Sequence, residues 1–358
     1  MAESPEVVAG APHSGGRTAR TAPALVTRTR DSLDEAGRTA RTAAALVTRT
    51  RDSLDEAGRT ARTAAALVTR TRDSLDEACH TLQAAGVPDA RREADELYAA
   101  VIGGATSAAW LDREREMPAA VAARFREAVT RRAAGWPQAY ATGRANFRGH
   151  WLTVDRRVLI PRPETEGLVE LVIKWAQGHG GTGAPAPLVA DVGTGSGAIA
   201  IALALEARVS GVIATDVSPA ALDLAILNAA ALGAKERISV RRGHLLEPLL
   251  GESVDAVVSN PPYVATGEWE SLDPSVRDYE PRLALDGGPD GMDLLRELIA
   301  QAGKALGPGG LLALEVDARR ASRTAEVVRN AGFEHVEVGT DLFGRPRYVH
   351  GRQPGTDR

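Results

Sequence analysis

The 358-residue sequence predicts a doubly wound α/β fold preceded by a smaller helical region. From residue 188 onward, short apolar runs alternate with longer Ala- and Leu-rich segments of helical periodicity, a pattern typical of a parallel sheet covered by helices on both faces. The glycine-rich loop DVGTGSG, residues 191–197, follows the first of these runs directly and opens a helix. These two observations predict the fold class.

Composition indicates a globular protein with a sizeable core. Hydrophobic residues make up 44% of the chain, charged residues 25%, and the formal net charge is −4. This balance gives no general electrostatic attraction to nucleic acid. Cys79 is the single cysteine, so no internal disulfide can form, and no apolar run approaches the roughly 20 residues that cross a bilayer. We therefore expect a cytoplasmic protein with no membrane partner.

Tandem repeats set residues 1–71 apart. The segment GRTARTAPALVTRTRDSLDEA, residues 16–36, returns twice, with Pro23 replaced by alanine in both later copies. Copies that agree even at surface positions indicate recent duplication, because solenoid repeats diverge outside their packing positions. Each copy has few apolar anchors. We therefore expect a disordered or loosely helical extension.

Residues 72–140 are predicted to form an N-terminal helical domain. Their Ala- and Leu-rich pattern is broken by glycine or proline at 86–88 and 103–104, which predicts four or five helices. The third repeat copy runs into this domain as an amphipathic segment with Leu75, Ala78 and Leu82 on one face.

A β-hairpin is predicted to connect this domain to the sheet. Between Tyr140 and Leu159, aromatic or apolar residues alternate with polar ones around Arg148-Gly149. We place the connecting hairpin at residues 141–165 and the sheet domain at residues 166–358.

Strands and helices then largely alternate. The predicted strands are 188–192, 212–216, 238–241, 254–259, 311–316 and two near residues 336 and 348. The predicted helices are 198–205, 219–232, 293–306 and 321–331. Ligands of such folds bind beyond the carboxyl ends of the strands. Both the glycine loop and Asn260 lie at that edge.

An acidic residue marks the tip of the second strand. There the Asp216 carboxylate can accept hydrogen bonds from both hydroxyls of an adenosine ribose. The alternative role, capping the next helix, suits Ser218 better. Together with the glycine loop, Asp216 predicts a nucleoside cofactor.

The tetrapeptide Asn260-Pro261-Pro262-Tyr263 ends an apolar strand abruptly. Two prolines fix φ and remove two N–H donors, so the backbone leaves the sheet as a stiff turn. The Asn260 side-chain oxygen and the Pro261 carbonyl can each accept one N–H of a substrate NH₂ group, holding its lone pair toward an electrophile. Tyr263 can cover the planar acceptor. This arrangement suits a substrate nitrogen whose lone pair is delocalised, because such a nitrogen is not activated by an ordinary general base. The alternative interpretation is that the tetrapeptide only forms a tight turn.

The combination of the glycine loop and this tetrapeptide resembles that of the amino-group methyltransferases. Three flanking segments indicate which family of these enzymes the sequence resembles most. GWPQAYATG (135–143), VLIPRPETE (158–166) and YEPRLALDGG (279–288) are similar to the HemK/PrmC family, over about residues 72–352. The resemblance implies a class I S-adenosylmethionine-dependent methyltransferase with a Rossmann-like seven-stranded sheet and a small N-terminal helical domain. It further implies transfer of a methyl group to N5 of the glutamine in the Gly-Gly-Gln motif of peptide chain release factors, which the helical domain would dock.

The resemblance also implies site residues. Those expected to bind S-adenosylmethionine are Asp191, Val192, Gly193, Thr194, Gly195, Gly197, Asp216, Leu245 and Asn260, with Asp191 near the methionine ammonium. Those expected to bind glutamine are Asn260, Pro261, Pro262, Tyr263 and Phe147, of which Asn260, Pro261 and Tyr263 are the catalytic set. No metal site is implied. Arg162 is assigned either a direct role or an ion pair with Glu164 that braces the hairpin.

Two departures from the family pattern keep alternatives open. His244 stands where relatives often have an acidic residue, and the segment 317–320 replaces a Gly-x-x-Gln-like turn. One alternative is a methyltransferase acting on adenine N6 or guanine N2 of nucleic acid, which the acidic net charge disfavours. The other is a catalytically decayed cofactor-binding adaptor, which the intact tetrapeptide disfavours.

Overall fold

The computed structural model of the protein describes residues 70–179 and 185–355. The predicted repetitive extension therefore lies outside the described residues, apart from its last two positions.

The described chain begins with helices. They are α1 (Thr71–Ala84), α2 (Ala90–Ile102), α3 (Ala108–Leu111), α4 (Ala119–Ala133) and α5 (Gln138–Thr142). The predicted apolar face of α1 is confirmed, because Leu75, Ala78 and Leu82 are buried against side chains of α2 and α4 such as Leu97 and Phe125. This apolar cluster holds the helices together.

A two-stranded hairpin follows, formed by β1 (Arg144–Phe147) and β2 (His150–Thr153). Arg148 and Gly149 both have positive φ, as a two-residue type I′ turn requires, so the predicted turn is confirmed. The predicted start of the alternating pattern is wrong, because Tyr140 lies in α5, where its buried hydroxyl donates to the Val158 carbonyl. A short helix can carry the same apolar spacing as a strand.

The remaining chain forms a seven-stranded sheet. Its strands are β3 (Leu188–Val192), β4 (Gly211–Asp216), β5 (Ile238–Arg242), β6 (Val254–Ser259), β7 (Leu306–Glu315), β8 (Glu334–Thr340) and β9 (Pro346–Arg352), in the spatial order β5-β4-β3-β6-β7-β9-β8. The first five are parallel, and β9 is antiparallel to both neighbours. The helices of this part are α6 (Thr165–Gly178), α7 (Ala198–Glu206), α8 (Pro219–Ala231), α9 (Pro274–Arg277), α10 (Asp293–Ala305) and α11 (Ala321–Asn330).

Both faces of the sheet are buried. Val189 of β3 belongs to a cluster that includes side chains of α6, α7 and α8, whereas its neighbour Ala190 belongs to a cluster with side chains of α10 and α11. Successive residues of a strand point to opposite faces, so helices cover the sheet on two sides. No helix in residues 70–179 or 185–355 is long and apolar enough to span a membrane.

β4 and β5 are each one residue longer than predicted, whereas β7 differs more from its predicted bounds. β7 begins at Leu306, which pairs with Val254, and the register shifts before pairing resumes at Leu311. The strand was predicted to begin only at residue 311, but the chain is already in the sheet at Leu306 and reaches Leu311 through an irregular segment.

Asn228 of α8 ties the hairpin to the glycine loop. This fully buried amide accepts a hydrogen bond from the Thr153 N–H at 2.8 Å. It donates to the carbonyl oxygens of Thr153 and Ser196, at 3.0 and 2.9 Å. One side chain thus satisfies three backbone groups from two separate segments.

Candidate active site

A cavity of about 260 Å³ opens where β3, β4 and β6 end. β4 and β6 flank β3 on opposite sides, so the cavity lies at the point where the strand order reverses, the usual ligand position in this architecture. The predicted cofactor residues that line it are Val192, Gly193, Gly195, Asp216, Leu245 and Asn260. Pro262, predicted to bind substrate, also lines it.

The glycine loop divides into exposed and packed positions. Gly193 and Gly195 have positive φ and line the cavity, so the backbone is open to a ligand there. Gly197 does not line it; an added Cβ would lie 3.3 Å from Ala225 of α8. Gly197 therefore permits the close approach of two helices, and this position does not support the predicted cofactor contact.

Asp191 lies beneath the loop, fully buried. Its Oδ2 accepts hydrogen bonds from the Thr194 hydroxyl at 2.6 Å and from the Ala200 N–H at 3.1 Å. Its Oδ1 is buried without a partner among the described residues. Burial raises the pKa of Asp191 to about 7, although the hydrogen bond from Thr194 opposes the shift. An unpartnered buried acceptor next to a cavity fits a cationic ligand group.

Asp216 stands at the tip of β4 and lines the cavity. Its Oδ2 accepts from the Gly195 N–H at 3.0 Å and its Oδ1 from the Ser218 N–H at 2.9 Å. Burial raises its pKa, and these backbone hydrogen bonds oppose the shift. Ser218 caps α8 by accepting from the Ala221 N–H, so Asp216 is not needed as the cap, and each of its oxygens has a further lone pair that can accept from a ligand.

Asn260 follows the last residue of β6 and faces the same cavity. Its Nδ2 donates to the Thr165 hydroxyl oxygen at 3.2 Å, so Oδ1 is the atom left to accept from a ligand. Pro261 and Tyr263 do not line this cavity. Tyr263 is half-buried against the cluster beneath α10 and α11, and burial raises its pKa to about 12, which keeps the hydroxyl neutral.

The segment Leu285–Gly291 clamps the turn after β6. The Val264 N–H donates to the Leu285 carbonyl at 2.9 Å, and the Gly287 N–H donates to the Val264 carbonyl at 2.8 Å. An added Cβ on Gly287 would lie 2.6 Å from the Pro262 carbonyl oxygen, and one on Gly291 would clash with the Tyr263 carbonyl oxygen. The backbone of the acceptor turn is therefore held from outside as well as by its own prolines.

Comparison with known proteins identifies two matching regions. Residues 73–143 match the PrmC N-terminal domain, and residues 184–272 match the methyltransferase small domain. The release factor glutamine methyltransferase of Cereibacter sphaeroides is 40% identical over 273 residues, covering 76% of this chain and 95% of that relative. That of Moorella thermoacetica is 42% identical over 274 residues, covering 74% of this chain and 92% of that relative.

The chain belongs to the release factor glutamine methyltransferase family. The resemblance stated from the motifs is thus confirmed. So is the predicted fold class, a class I methyltransferase sheet of seven strands with a small helical region before it.

Phe147 and Arg162 also differ from the sequence-based expectations. Phe147 is only 1% exposed and packs in the core with residues of α6 and α7, away from the cavity, because its position in β1 points inward. Its predicted contact with substrate is not supported. Arg162 does form an ion pair, but at 2.5 Å with Glu280, so the predicted partner Glu164 is wrong.

Sequence reasoning left several cavity residues without a role. Pro281, Leu283 and Ala284 form one wall, and the only signal for them was the segment YEPRLALDGG. His244, the first departure from the family pattern, also lines the cavity, and its Nε2 lies 3.0 Å from a carboxylate oxygen of Glu297 in α10.

The second departure forms an ordered turn. The Asp317 carboxylate accepts from the Arg319 N–H at 2.8 Å, and Arg319 and Arg320 both pair with Glu268. This ionic network replaces the family turn and holds the loop after β7 against the segment that follows Tyr263.

Proposed function

We propose that this protein transfers a methyl group from S-adenosylmethionine to N5 of the glutamine in the Gly-Gly-Gln motif of peptide chain release factors. The observation that carries the proposal is that Asn260, with its amide oxygen left free, lines the same cavity as the glycine loop and Asp216. The names of the relatives, which align over nearly their whole length, supply the substrate.

The residues around the cavity fit S-adenosylmethionine. Asp216 offers a carboxylate for the ribose hydroxyls, and the apolar side chains of Val217 and Leu245 suit the adenine ring. The unpartnered Oδ1 of Asp191 favours a positively charged ligand nearby, and a bound cation would in turn favour the ionised form of Asp191. When bound, the cofactor supplies an electrophilic methyl group on a sulfonium.

In this proposal the acceptor amide is oriented by the Asn260 side-chain oxygen, which faces the cofactor cavity, and by the carbonyl of Pro261, the next residue of the turn, which lies outside the lining of that cavity. If each oxygen accepts one N–H of the glutamine NH₂ group, the nitrogen lone pair points out of the amide plane toward the methyl donor. One N–H proton is then released to solvent water, and the product is a neutral secondary amide that keeps the other. No strong base is needed, because the proton becomes acidic as the new N–C bond forms.

The helical region supplies a second candidate contact with the release factor. A cleft of about 760 Å³ lies between this region and the hairpin, lined by Glu96, Gln138, Arg144 and Trp151, and it extends to Pro161. Pro161 belongs to the segment that leads through Arg162 to Thr165, next to Asn260. A protein substrate bound in this cleft would therefore extend toward the acceptor turn.

Methyl-labelled S-adenosylmethionine tests the proposal. The purified protein is incubated with release factor, with a release factor whose Gly-Gly-Gln glutamine is alanine, and with DNA or ribosomal RNA. Label on the intact factor alone supports the proposal. Label on nucleic acid selects an adenine or guanine methyltransferase, and no label anywhere, with cofactor bound, selects an adaptor.

A further inference from the structure

We propose that Arg156 is a positioning residue for the cofactor, because together with Trp136 and Tyr279 it holds in place two loop segments that form the rim of the cavity. The inference rests on the proposed function, since it takes this cavity as the site of S-adenosylmethionine. Arg156 itself does not line the cavity.

The rim of the cavity consists of two segments that lie far apart in the sequence. The first rim segment is residues 157–159 and the second is residues 281–284, and each of these residues except Arg282 lines the cavity. Neither segment is part of the sheet, and the second contains only a single 3₁₀ turn. The pairing of strands therefore does not set the distance between the two segments, and side-chain contacts have to do so.

Arg156 connects the two rim segments. It directly precedes the first, and its guanidinium carbon lies 4.8 Å from the ring centroid of Tyr279, which comes shortly before the second. Its Nη2 also donates a hydrogen bond to the Asp278 carbonyl oxygen at 2.9 Å. One side chain thus contacts both a ring and the main chain of the stretch that leads into the second rim segment.

Trp136, between α4 and α5, completes this contact from the helical region. Its ring centroid lies 5.5 Å from the Arg156 guanidinium carbon and 5.6 Å from the ring centroid of Tyr279, and the two ring planes are tilted by 57°. Arg132 donates from Nη1 to the Trp136 carbonyl oxygen at 3.4 Å and pairs with Glu93 of α2 at 2.9 Å. The helical region therefore supplies an anchored surface against which Arg156 and Tyr279 pack.

An arginine suits this position because of the shape and charge of its guanidinium group. The group is planar and weakly hydrated, so it can lie over aromatic rings and still donate hydrogen bonds in its own plane, whereas a lysine offers only a point charge. Each contact between a cation and an aromatic ring at a partly exposed site is worth about a two- to fivefold change in an equilibrium constant. Arg156 makes two such contacts.

A second connection between the rim segments lies beside the first. Glu280 pairs through Oε1 with Arg162 at 2.5 Å, and its Oε2 accepts a hydrogen bond from the Ile160 N–H at 3.3 Å. Glu280 is buried, whereas Arg156 is exposed. Because the buried connection remains when Arg156 is replaced, the loss of Arg156 should loosen the rim without unfolding the protein.

A rim that is already held in place favours binding of the cofactor. Leu283 of the second rim segment lines the cavity and is 60% exposed, so a bound ligand can cover part of its apolar surface. A segment that must first become ordered loses part of this gain to conformational entropy, and a segment held beforehand does not. We therefore expect Arg156 to increase the affinity for the cofactor without touching it.

Calorimetric titration with S-adenosylhomocysteine, without release factor, tests the proposal. Arg156→Ala and Tyr279→Ala should each raise the Kd about 5- to 10-fold, and Tyr279→Phe, which keeps the ring, should stay within about twofold of the wild type. Arg131→Ala is the matched control, since its guanidinium carbon lies 5.4 Å from the Trp136 ring centroid while its charge pairs with Glu127 of the same helix. The Kd of this variant should also stay within about twofold of the wild type.

A double variant shows whether Arg156 and Tyr279 act through one contact. If they do, Arg156→Ala combined with Tyr279→Ala should raise the Kd little more than either substitution alone, because the same contact is lost in all three variants. A Kd increase equal to the product of the two single effects would mean that the residues act independently, and it would overturn the proposal.

Hydrogen exchange of the ligand-free protein measures the rim directly. The N–H groups of Ile160 and Ala284 donate to Glu280 and to the Pro281 carbonyl oxygen. They should exchange about 5- to 10-fold faster in Arg156→Ala than in the wild type, and at the wild-type rate in Arg131→Ala. Unchanged exchange in Arg156→Ala, or a Kd within about twofold of the wild type, would refute the proposal.

These measurements do not depend on methyl transfer. If the wild type binds S-adenosylhomocysteine but does not methylate release factor, the proposed function fails, and the Kd and exchange values still decide the role of Arg156. If methyl transfer occurs, kcat of Arg156→Ala at saturating cofactor should remain within about threefold of the wild type. A much larger decrease would assign Arg156 to the chemical step and contradict a positioning role.

Discussion

Replacing Asn260 by alanine should nearly abolish methyl transfer while leaving the cofactor site almost intact. The variant loses one of the two oxygens proposed to hold the glutamine NH₂ group. Removal of one preorganised hydrogen-bond partner of a reacting group costs about 2.7–4 kcal/mol in the transition state, which corresponds to a decrease of roughly 100- to 1000-fold in kcat. The other oxygen, the Pro261 carbonyl, belongs to the backbone and remains.

The cost in stability should be small by comparison. The variant loses a neutral hydrogen bond of 3.2 Å to Thr165, worth about 1 kcal/mol. For a domain of this size that corresponds to a decrease in Tm of about 2–4 °C. The Kd for cofactor should rise less than about threefold, because Asn260 is one of many cavity residues and offers no charge.

The assay combines methyl transfer to release factor with calorimetric titration of the cofactor. Asn330→Ala is the control, since this exposed residue at the end of α11 lines neither the cofactor cavity nor the cleft proposed for release factor. A kcat within about threefold of the wild type would refute the role of Asn260. An equal loss of cofactor affinity and kcat would show that Asn260 serves binding and not orientation.

Three further substitutions test the structure. Asn228→Ala leaves three buried backbone groups without a hydrogen-bond partner, and it should lower the free energy of unfolding by about 3 kcal/mol or more, measured by urea denaturation. Asn146→Ala, which removes one exposed hydrogen bond from the Gly149 N–H, should lower it by less than about 1 kcal/mol. Arg162→Met leaves Glu280 buried without the guanidinium group of Arg162, and it should lower the free energy of unfolding by about 2–3 kcal/mol at pH 8. The loss should be smaller at pH 5, where Glu280 can take up a proton. Equal losses at the two pH values would show that the Arg162–Glu280 ion pair does not stabilise the protein. Because burial raises the pKa of Asp191 to about 7, its contribution to stability is present below about pH 4 and lost as the pH rises through 7. Asp191→Asn should therefore gain stability relative to the wild type between pH 4 and 8 in urea titrations, and a constant difference would show that Asp191 does not titrate there.

The sheet could be predicted well because its signals are local. β3 and β6 have the predicted bounds, since each is a short apolar run that ends at a glycine loop or a proline. The position of Asp216 followed from the same logic, because parallel strands bring their carboxyl ends to one edge.

Contacts between distant segments could not be predicted. Thr165 and Asn260 are 95 positions apart, and Arg162 and Glu280 are 118 apart, so no spacing in the sequence connects them. The substrate contact predicted for Phe147 is not supported for a related reason. Period-two alternation shows that a strand has two faces, but it does not show which face of a short hairpin the rest of the protein covers.

The glycine clamp behind the acceptor turn has a consequence for mutational tolerance. At Gly287 and Gly291 even a methyl group would displace the carbonyl oxygens of Pro262 and Tyr263. A library that randomises every position should therefore find that these two sites tolerate as few substitutions as Asn260, although neither of them lines the cavity. The close contact between the turn and this loop excludes substitutions that methyl transfer itself would tolerate. A change in one of the two segments therefore requires a compensating change in the other.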